Sequence, residues 1–156
     1  MSESRGYGLP GPPSTFGSAH ARADAAKLKI VKQFFRLLWI LAILAVVVGS
    51  VLPSYSGPIR MLDRLPLSDK TEHFLGYAAL AFLPALHERT RFIIAAGLGA
   101  ILLGILLEFV QRYTGWRDYE VADMVADALG VVAGLAIGLA ARPLHFVRAL
   151  FAPARP

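Results

Sequence analysis

Apolar residues are concentrated in four blocks along the chain, and the segments between the blocks are polar. The blocks are Leu37–Leu52, Thr71–Leu86, Phe92–Val110 and Val121–Ala141. A helix needs about 20 mostly apolar residues to cross a bilayer. The pattern therefore predicts an all-α polytopic membrane protein, built as a bundle of four transmembrane helices. The second block is short, and it spans only if its polar start, Ser68 to Glu72, lies at the interface.

The segments around the blocks contain helix breakers and basic residues. Residues 1–23 are rich in Gly, Pro, Ser and Ala, and we expect them to form a disordered cytoplasmic tail. Residues 24–52 are interpreted as a basic juxtamembrane segment followed by transmembrane helix 1. We expect residues 53–71 to form a polar loop with three prolines, and residues 142–156 to form a cytoplasmic basic tail.

The first apolar block can also be interpreted as the core of a signal peptide. Val48-Gly49-Ser50 loosely fits the small-residue pattern at which such peptides are cleaved. The region before the block is much longer than the charged start of a signal peptide, so we expect helix 1 to be retained.

Composition agrees with a membrane protein and excludes several kinds of site. Hydrophobic residues make up 56% of the chain and charged residues 17%, with a mean hydropathy of +0.54. A soluble domain has about a quarter charged residues. The absence of cysteine excludes disulfides, thiolate metal sites and cysteine nucleophiles.

The net charge of +5 comes from basic residues that flank the apolar blocks, which is a topology signal rather than a sign of nucleic-acid binding. Five of the 16 lysines and arginines lie in the two loops on one side: Arg60, Arg64, Lys70, Arg112 and Arg117. The other eleven lie on the side of the termini. We therefore expect both termini in the cytoplasm, in a bacterial inner membrane, with Lys27–Arg36 near anionic lipid headgroups at about 1 kcal/mol per charge.

The polar residues of the last three predicted helices fall at one end of the bundle, because successive helices run in opposite directions. The candidate ligand-binding residues there are Asp69, Lys70, His73, Tyr77, Glu108, Gln111, Arg117, Asp123 and Asp127. Spacings of three and four residues place Asp69 with His73, Glu108 with Gln111, and Asp123 with Asp127 on common helix faces.

Ionised carboxylates at these positions need partners, since each costs about 2.5–3.5 kcal/mol at the centre of a span even on lenient scales. Three arrangements are open. The acids can pair with Arg117, Lys70 and His73 as a structural network; some carboxyls can be protonated; or the carboxylates and His73 can bind a metal ion or a substrate. No metal ligand set or cofactor is assigned.

Two stripes of small residues indicate where helices approach closely. Gly130, Gly134 and Gly138 repeat every fourth residue on the last predicted helix, and Ala96, Ala100 and Gly104 do so on the third. Such stripes are typical of tightly packed membrane helices. We therefore expect the third and fourth predicted helices to pair through them.

Trp39 and His87 lie outside the predicted polar end, and we do not expect either to bind a ligand. Trp39 lies near the cytoplasmic end of the first block and is typical of an interfacial aromatic anchor. His87 lies in a charged turn, and we expect it to be solvated.

Together the polar residues form an ordered set of motifs: Ser68-Asp69-Lys70-x-x-His73-x-x-x-Tyr77, Glu108-x-x-Gln111, Arg117 and Asp123-x-x-x-Asp127-x-x-Gly130-x-x-x-Gly134. This order resembles the VanZ-like family of small bacterial membrane proteins. The likeness covers residues 66–141. Val110 stands where the family has a histidine before the glutamine, and Gly115-Trp116-Arg117 stands where it has Pro-Gly-Arg.

The resemblance implies a role at the cell envelope, since the name-giving members are associated with resistance to the glycopeptide teicoplanin. Three functions stay open. The chain can bind an amphiphile such as a lipid headgroup or lipid-linked precursor at the outer face. It can be a hydrolase or transferase of lipid-linked substrates, with His73, Glu108 and Asp127 as candidate catalytic residues. It can also be a small proton-coupled transporter.

Overall fold

The computed structural model describes residues 15–62, 64, 66–115, 119–144, 147 and 151, and this part of the chain is helical with no strand. The helices are α1 (Thr15–Val51), α2 (Gly57–Leu62), α3 (Asp69–His87), α4 (Thr90–Thr114) and α5 (Val121–Ala141).

Three helices are long and apolar enough to cross a membrane. They are α1 over Arg22–Val51, α4 and α5. These helices support a multi-pass membrane protein, but the expected count of four spans is not confirmed, because α3 is not among them. The first turns of α3 carry Asp69, Lys70, Glu72 and His73, which lower its hydropathy.

The most extensive helix–helix contact joins α3 and α5, and α3 also packs against α1 and α4. Tyr77, Leu80 and Ala81 of α3 are almost fully buried, and they form the core with Ala100 and Val131. The least apolar of the long helices is therefore also one of the best covered, which lets it carry polar groups.

The glycines of α5 explain the close contact between α5 and α3. A Cβ atom at Gly130 would collide with the backbone oxygen of Phe74, and one at Gly134 with the backbone of Ala78. The expected pairing of the α5 glycines with the α4 stripe is therefore wrong. The spacing correctly indicated a close approach, but the partner is the backbone of α3.

The small residues of α4 are also buried, but they face side chains rather than a helix backbone. Gly104 lies beneath the Asp127 carboxylate and the Tyr77 hydroxyl, and Gly97 contacts Leu135 and Val131. Their small size makes room for side chains of α3 and α5.

Several helix boundaries differ from the expectations. α1 begins at Thr15 instead of Asp24, and residues 1–14 of the expected disordered tail lie outside the described part of the chain. The expected loop at 53–71 contains the short helix α2, which buries Ile59 at 3% exposure. α4 continues through Gln111 to Thr114 and is capped by Gly115, whose φ of 67° suits glycine.

α1 is a peripheral helix. Only 6% of its most apolar stretch is buried, against 39% for that of α4 and 33% for that of α5. Polar contacts attach it along its length. Trp39 donates its indole N–H to the Leu80 carbonyl oxygen at 2.7 Å, so its interpretation as a simple interfacial anchor needs this correction. Arg36 pairs with Glu88 at 2.8 Å near one end.

The end of the bundle that carries Arg36, Glu88 and Arg142, called here the opposite end, buries a histidine. The His87 side chain is only 2% exposed, and its ring stacks on Phe151 with centroids 5.1 Å apart. The expectation that His87 is solvated is therefore wrong. Arg142 donates to the backbone oxygens of Ala85 and Glu88, both at 2.5 Å, and so caps α3.

Candidate functional site

The end that carries Asp69, His73, Glu108, Asp123 and Asp127 is called here the polar end. The start of α3, the end of α4 and the start of α5 meet there, as the alternating directions predicted. Of the nine predicted ligand-binding residues, Arg117 lies outside the described residues. The other eight lie at or just below this end, but they do not form one hydrogen-bonded cluster.

His73 and Asp127 are the closest functional pair. The Nδ1 atom of His73 lies 2.9 Å from Oδ1 of Asp127, at hydrogen-bond distance. The contact of Gly130 with the backbone of Phe74 brings the two residues within reach, because His73 precedes Phe74 directly and Asp127 lies one turn before Gly130. Asp127 is 2% exposed, and its other oxygen, Oδ2, has no hydrogen-bond partner among the described residues.

Lys70 supplies positive charge at the rim of the polar end. Its Nζ atom lies 2.6 Å from Oε2 of Glu120 and 3.2 Å from Oδ1 of Asp123. The Asp123 side chain is 3% exposed, whereas the Lys70 side chain is 45% exposed. The sequence interpretation missed Glu120, although its position immediately before the last apolar block was a usable signal.

Glu108 is buried at 1% exposure, and its hydrogen bond among the described residues is not to the histidine. Its Oε2 atom accepts a long hydrogen bond of 3.4 Å from the backbone N–H of Glu120, the residue that precedes α5. The positive end of the α5 dipole favours a negative charge there. No hydrogen bond joins Glu108 to His73 or Asp127 within the described part of the chain, so the expected convergence is only partial.

Gln111 and Tyr77 have structural contacts. The Gln111 amide donates to the backbone oxygen of Ser50 at 3.1 Å and so ties α4 to the end of α1. Tyr77 is 2% exposed and is part of the core. A ligand-binding role for either residue stays a prediction.

A cavity of about 220 Å³ opens beside α3 at the polar end. On one wall α3 contributes Asp69, Glu72, His73, Gly76 and Tyr77. The other wall is mostly apolar and comes from α1 and α2: Ala45, Val46, Gly49, Ser50 and Ile59. Glu108, Asp123 and Asp127 do not line this cavity, so of the three predicted catalytic residues only His73 does.

Donor atoms for a metal ion are present at the polar end. One ligand atom from each of Asp69, His73 and Asp123 lies within 4.8 Å of the others. The Nδ1 atom of His73 is engaged by Asp127, so Nε2 is the nitrogen left for a ligand. Two carboxylates and one imidazole are ligand types that divalent metal ions accept.

Comparison of the chain with family models, with curated proteins and with solved structures found no match. Membership of the VanZ-like family, expected from the order of the motifs, therefore stays a prediction.

Proposed function

We propose that α3 is a fourth span, and that the protein lies in the bacterial cytoplasmic membrane with the polar end outward. The charge distribution supports this orientation, because the loops at the polar end hold fewer basic residues than the rest of the chain. The burial of α3 supports the fourth span, because a helix covered by three others needs less apolar surface than a lipid-facing one.

We also propose that the polar end binds an amphiphile of the cell envelope, such as a lipid headgroup, a lipid-linked precursor or a lipoglycopeptide. The observation that carries this proposal is the cavity with one polar wall from α3 and one apolar wall from the peripheral helix α1. A headgroup can contact Asp69 and His73 while its chain follows α1 into lipid. Lys70 and Arg117 are the expected contacts of an anionic group. The resemblance to the VanZ-like family supports an envelope role.

Polar substitutions in the cavity wall test this function in cells. Asp69→Asn and His73→Gln keep side-chain size and remove charge or basicity, and we expect both to reduce teicoplanin tolerance or alter lipid composition. Asp24→Asn is the matched control, since it makes the same change in the N-terminal third of α1, far from the cavity. If both cavity variants matched the wild type at equal membrane abundance, the proposed function would be rejected.

A second candidate function is hydrolysis or transfer of a lipid-linked substrate. The contact between His73 and Asp127 favours it, because a carboxylate on Nδ1 orients an imidazole for proton transfer at Nε2. Turnover of a labelled lipid-linked substrate by purified protein distinguishes the candidates, since a binding protein retains the ligand without converting it.

A further inference from the structure

We propose that Asp69, His73 and Asp123 form a binding site for one divalent transition-metal ion, with Zn²⁺ as the ion used to test it. In the ligand site proposed above, this ion would be a bound cation. Its biological role rests on that proposed function, whereas the metal binding itself does not. The three residues come from two helices, α3 and α5, which the glycine contact holds in fixed register.

The distances suit a metal after a small movement. Bonds of about 2.0–2.2 Å to each ligand require donor atoms roughly 3.0–3.6 Å apart. One donor atom from each residue, with either ring nitrogen of His73 counted, lies within 4.8 Å of the others. Asp69 is exposed, so a change of its side-chain rotamer can alter its distances to the other two residues while the helices stay in place.

A buried carboxylate oxygen in the cluster supports a cation independently of these distances. Asp123 Oδ1 belongs to a side chain that is 3% exposed, and it has no well-oriented hydrogen bond among the described residues. The ammonium group of Lys70 lies 3.2 Å away as its ion-pair partner. A buried carboxylate oxygen without a hydrogen bond is unusual in a folded protein, and a bound ion is one of the common explanations for it.

Asp127 acts on the proposed site through the histidine. Its contact with Nδ1 of His73 fixes the ring and leaves Nε2 for the metal. Carboxylates in this position raise the basicity of a metal-binding histidine, and their loss weakens metal binding about 10–100-fold. Asp127 is therefore a positioning residue in this proposal.

Lys70 competes with the metal for Asp123. It is 45% exposed and has a second partner in Glu120 at 2.6 Å, so it can leave Asp123 without losing all its pairing. A metal ion that takes its place would be repelled by a nearby ammonium group. Removal of the Lys70 charge should therefore strengthen metal binding.

The test is a Zn²⁺ titration of the full, untagged chain in lipid nanodiscs, in competition with a chromophoric chelator and without any amphiphile. We expect one ion per chain, loss of this binding in His73→Gln and Asp123→Asn, about 10–100-fold weaker binding in Asp127→Asn, and tighter binding in Lys70→Met. His87→Gln and Asp24→Asn make the same changes elsewhere and should bind like the wild type.

Unchanged Zn²⁺ binding in His73→Gln and Asp123→Asn, or no saturable binding in the wild type, would overturn the proposal. X-ray absorption of the wild-type complex tests it without any variant, with one imidazole and carboxylate oxygens expected at about 2.0–2.2 Å. Two or more imidazoles would contradict it. Metal binding without any effect of cavity variants in cells would reject the proposed function alone, and the reverse result would reject the metal site alone.

Discussion

Trp39 supplies the hydrogen bond that Leu80 cannot receive from its own helix. In a regular α-helix the carbonyl oxygen of Leu80 would accept from the backbone N–H of residue 84, but residue 84 is a proline. The indole N–H of Trp39 reaches this oxygen at 2.7 Å from α1. The break in the hydrogen bonding of α3 thus becomes an attachment point for the peripheral helix α1.

This relationship predicts a non-additive pair of substitutions. Trp39→Phe leaves the Leu80 oxygen without a donor in an apolar environment, and we expect a loss of about 1–3 kcal/mol in unfolding free energy. In a Pro84→Ala background the restored backbone N–H can satisfy that oxygen, so the same substitution should cost clearly less. Denaturant unfolding of all four proteins in micelles measures the difference.

The smaller ring of phenylalanine changes packing equally in both backgrounds, so the double-mutant cycle isolates the hydrogen bond. Equal costs of Trp39→Phe in the wild-type and in the Pro84→Ala background would mean that Trp39 and Pro84 are not coupled through Leu80.

Gly134 sets the distance between α3 and α5. A Cβ atom at this position would collide with the backbone of Ala78, which cannot move aside as a flexible side chain can. We expect Gly134→Ala to lower the unfolding free energy by about 1–3 kcal/mol, as overpacking does, and to lengthen the contact between His73 and Asp127.

Gly99→Ala is the matched control, because nothing lies within 4 Å of a Cβ atom at Gly99. Alanine favours a helix over glycine by about 1 kcal/mol, so this variant should be neutral or more stable. Thermal unfolding followed by circular dichroism compares the two. A Gly134→Ala protein as stable as Gly99→Ala would show that the close approach is unimportant.

The sequence predicted that Gly134 packs closely against another helix, but it predicted the wrong helix. Spacing of small residues identifies a helix face that approaches another backbone, but it carries no information about which helix that is. α3 was overlooked because its small residue Ala78 does not belong to a regular stripe. The bounds of α5 were predicted correctly, because Glu120 and Pro143 enclose an apolar block whose two acids lie in its first two turns.

The sequence predicted that the polar residues lie at one end of the bundle, but it did not predict which of them are in contact. Alternating helix directions are enough to bring Asp69, Glu108 and Asp123 to one end of the bundle. Among the described residues Glu108 bonds to the backbone of Glu120 and His73 to Asp127, and these choices depend on helix rotation, which the sequence pattern left open. His87 was misinterpreted because its burial comes from Phe35 and Phe151, which lie far from it in the sequence.

Glu88 at the opposite end should make stability depend on acid pH. Burial alone would raise the pKa of Glu88, but the hydrogen bond and charge of Arg36, with smaller effects of His87 and Lys32, hold it below its usual value. A lowered pKa in the folded state gives stability that is present above the unfolded pKa and is lost as the pH falls through the folded pKa.

We therefore expect the melting temperature to fall at acid pH, with a part of the change absent in Glu88→Gln. The effect should be small, about 0–1 kcal/mol, because the Arg36 side chain is 57% exposed and solvent screens the pair. Melting curves across an acid pH series measure it. Arg36→Met should remove the same part of the pH dependence, and a variant that kept all of it would contradict this assignment.

Asp127 and His73 should be coupled in stability whatever ligand the polar end takes. His73→Gln removes the imidazole from Asp127, which is 2% exposed and already has one oxygen without a partner among the described residues. We expect His73→Gln and Asp127→Asn each to cost about 1–3 kcal/mol, the usual range for a buried polar group left unpaired. Together they should cost less than the sum, since the second substitution finds the contact already broken. Denaturant unfolding of both single variants and the double variant in micelles measures the coupling. Fully additive costs would show that the 2.9 Å contact adds nothing to the stability of the pairing between α3 and α5.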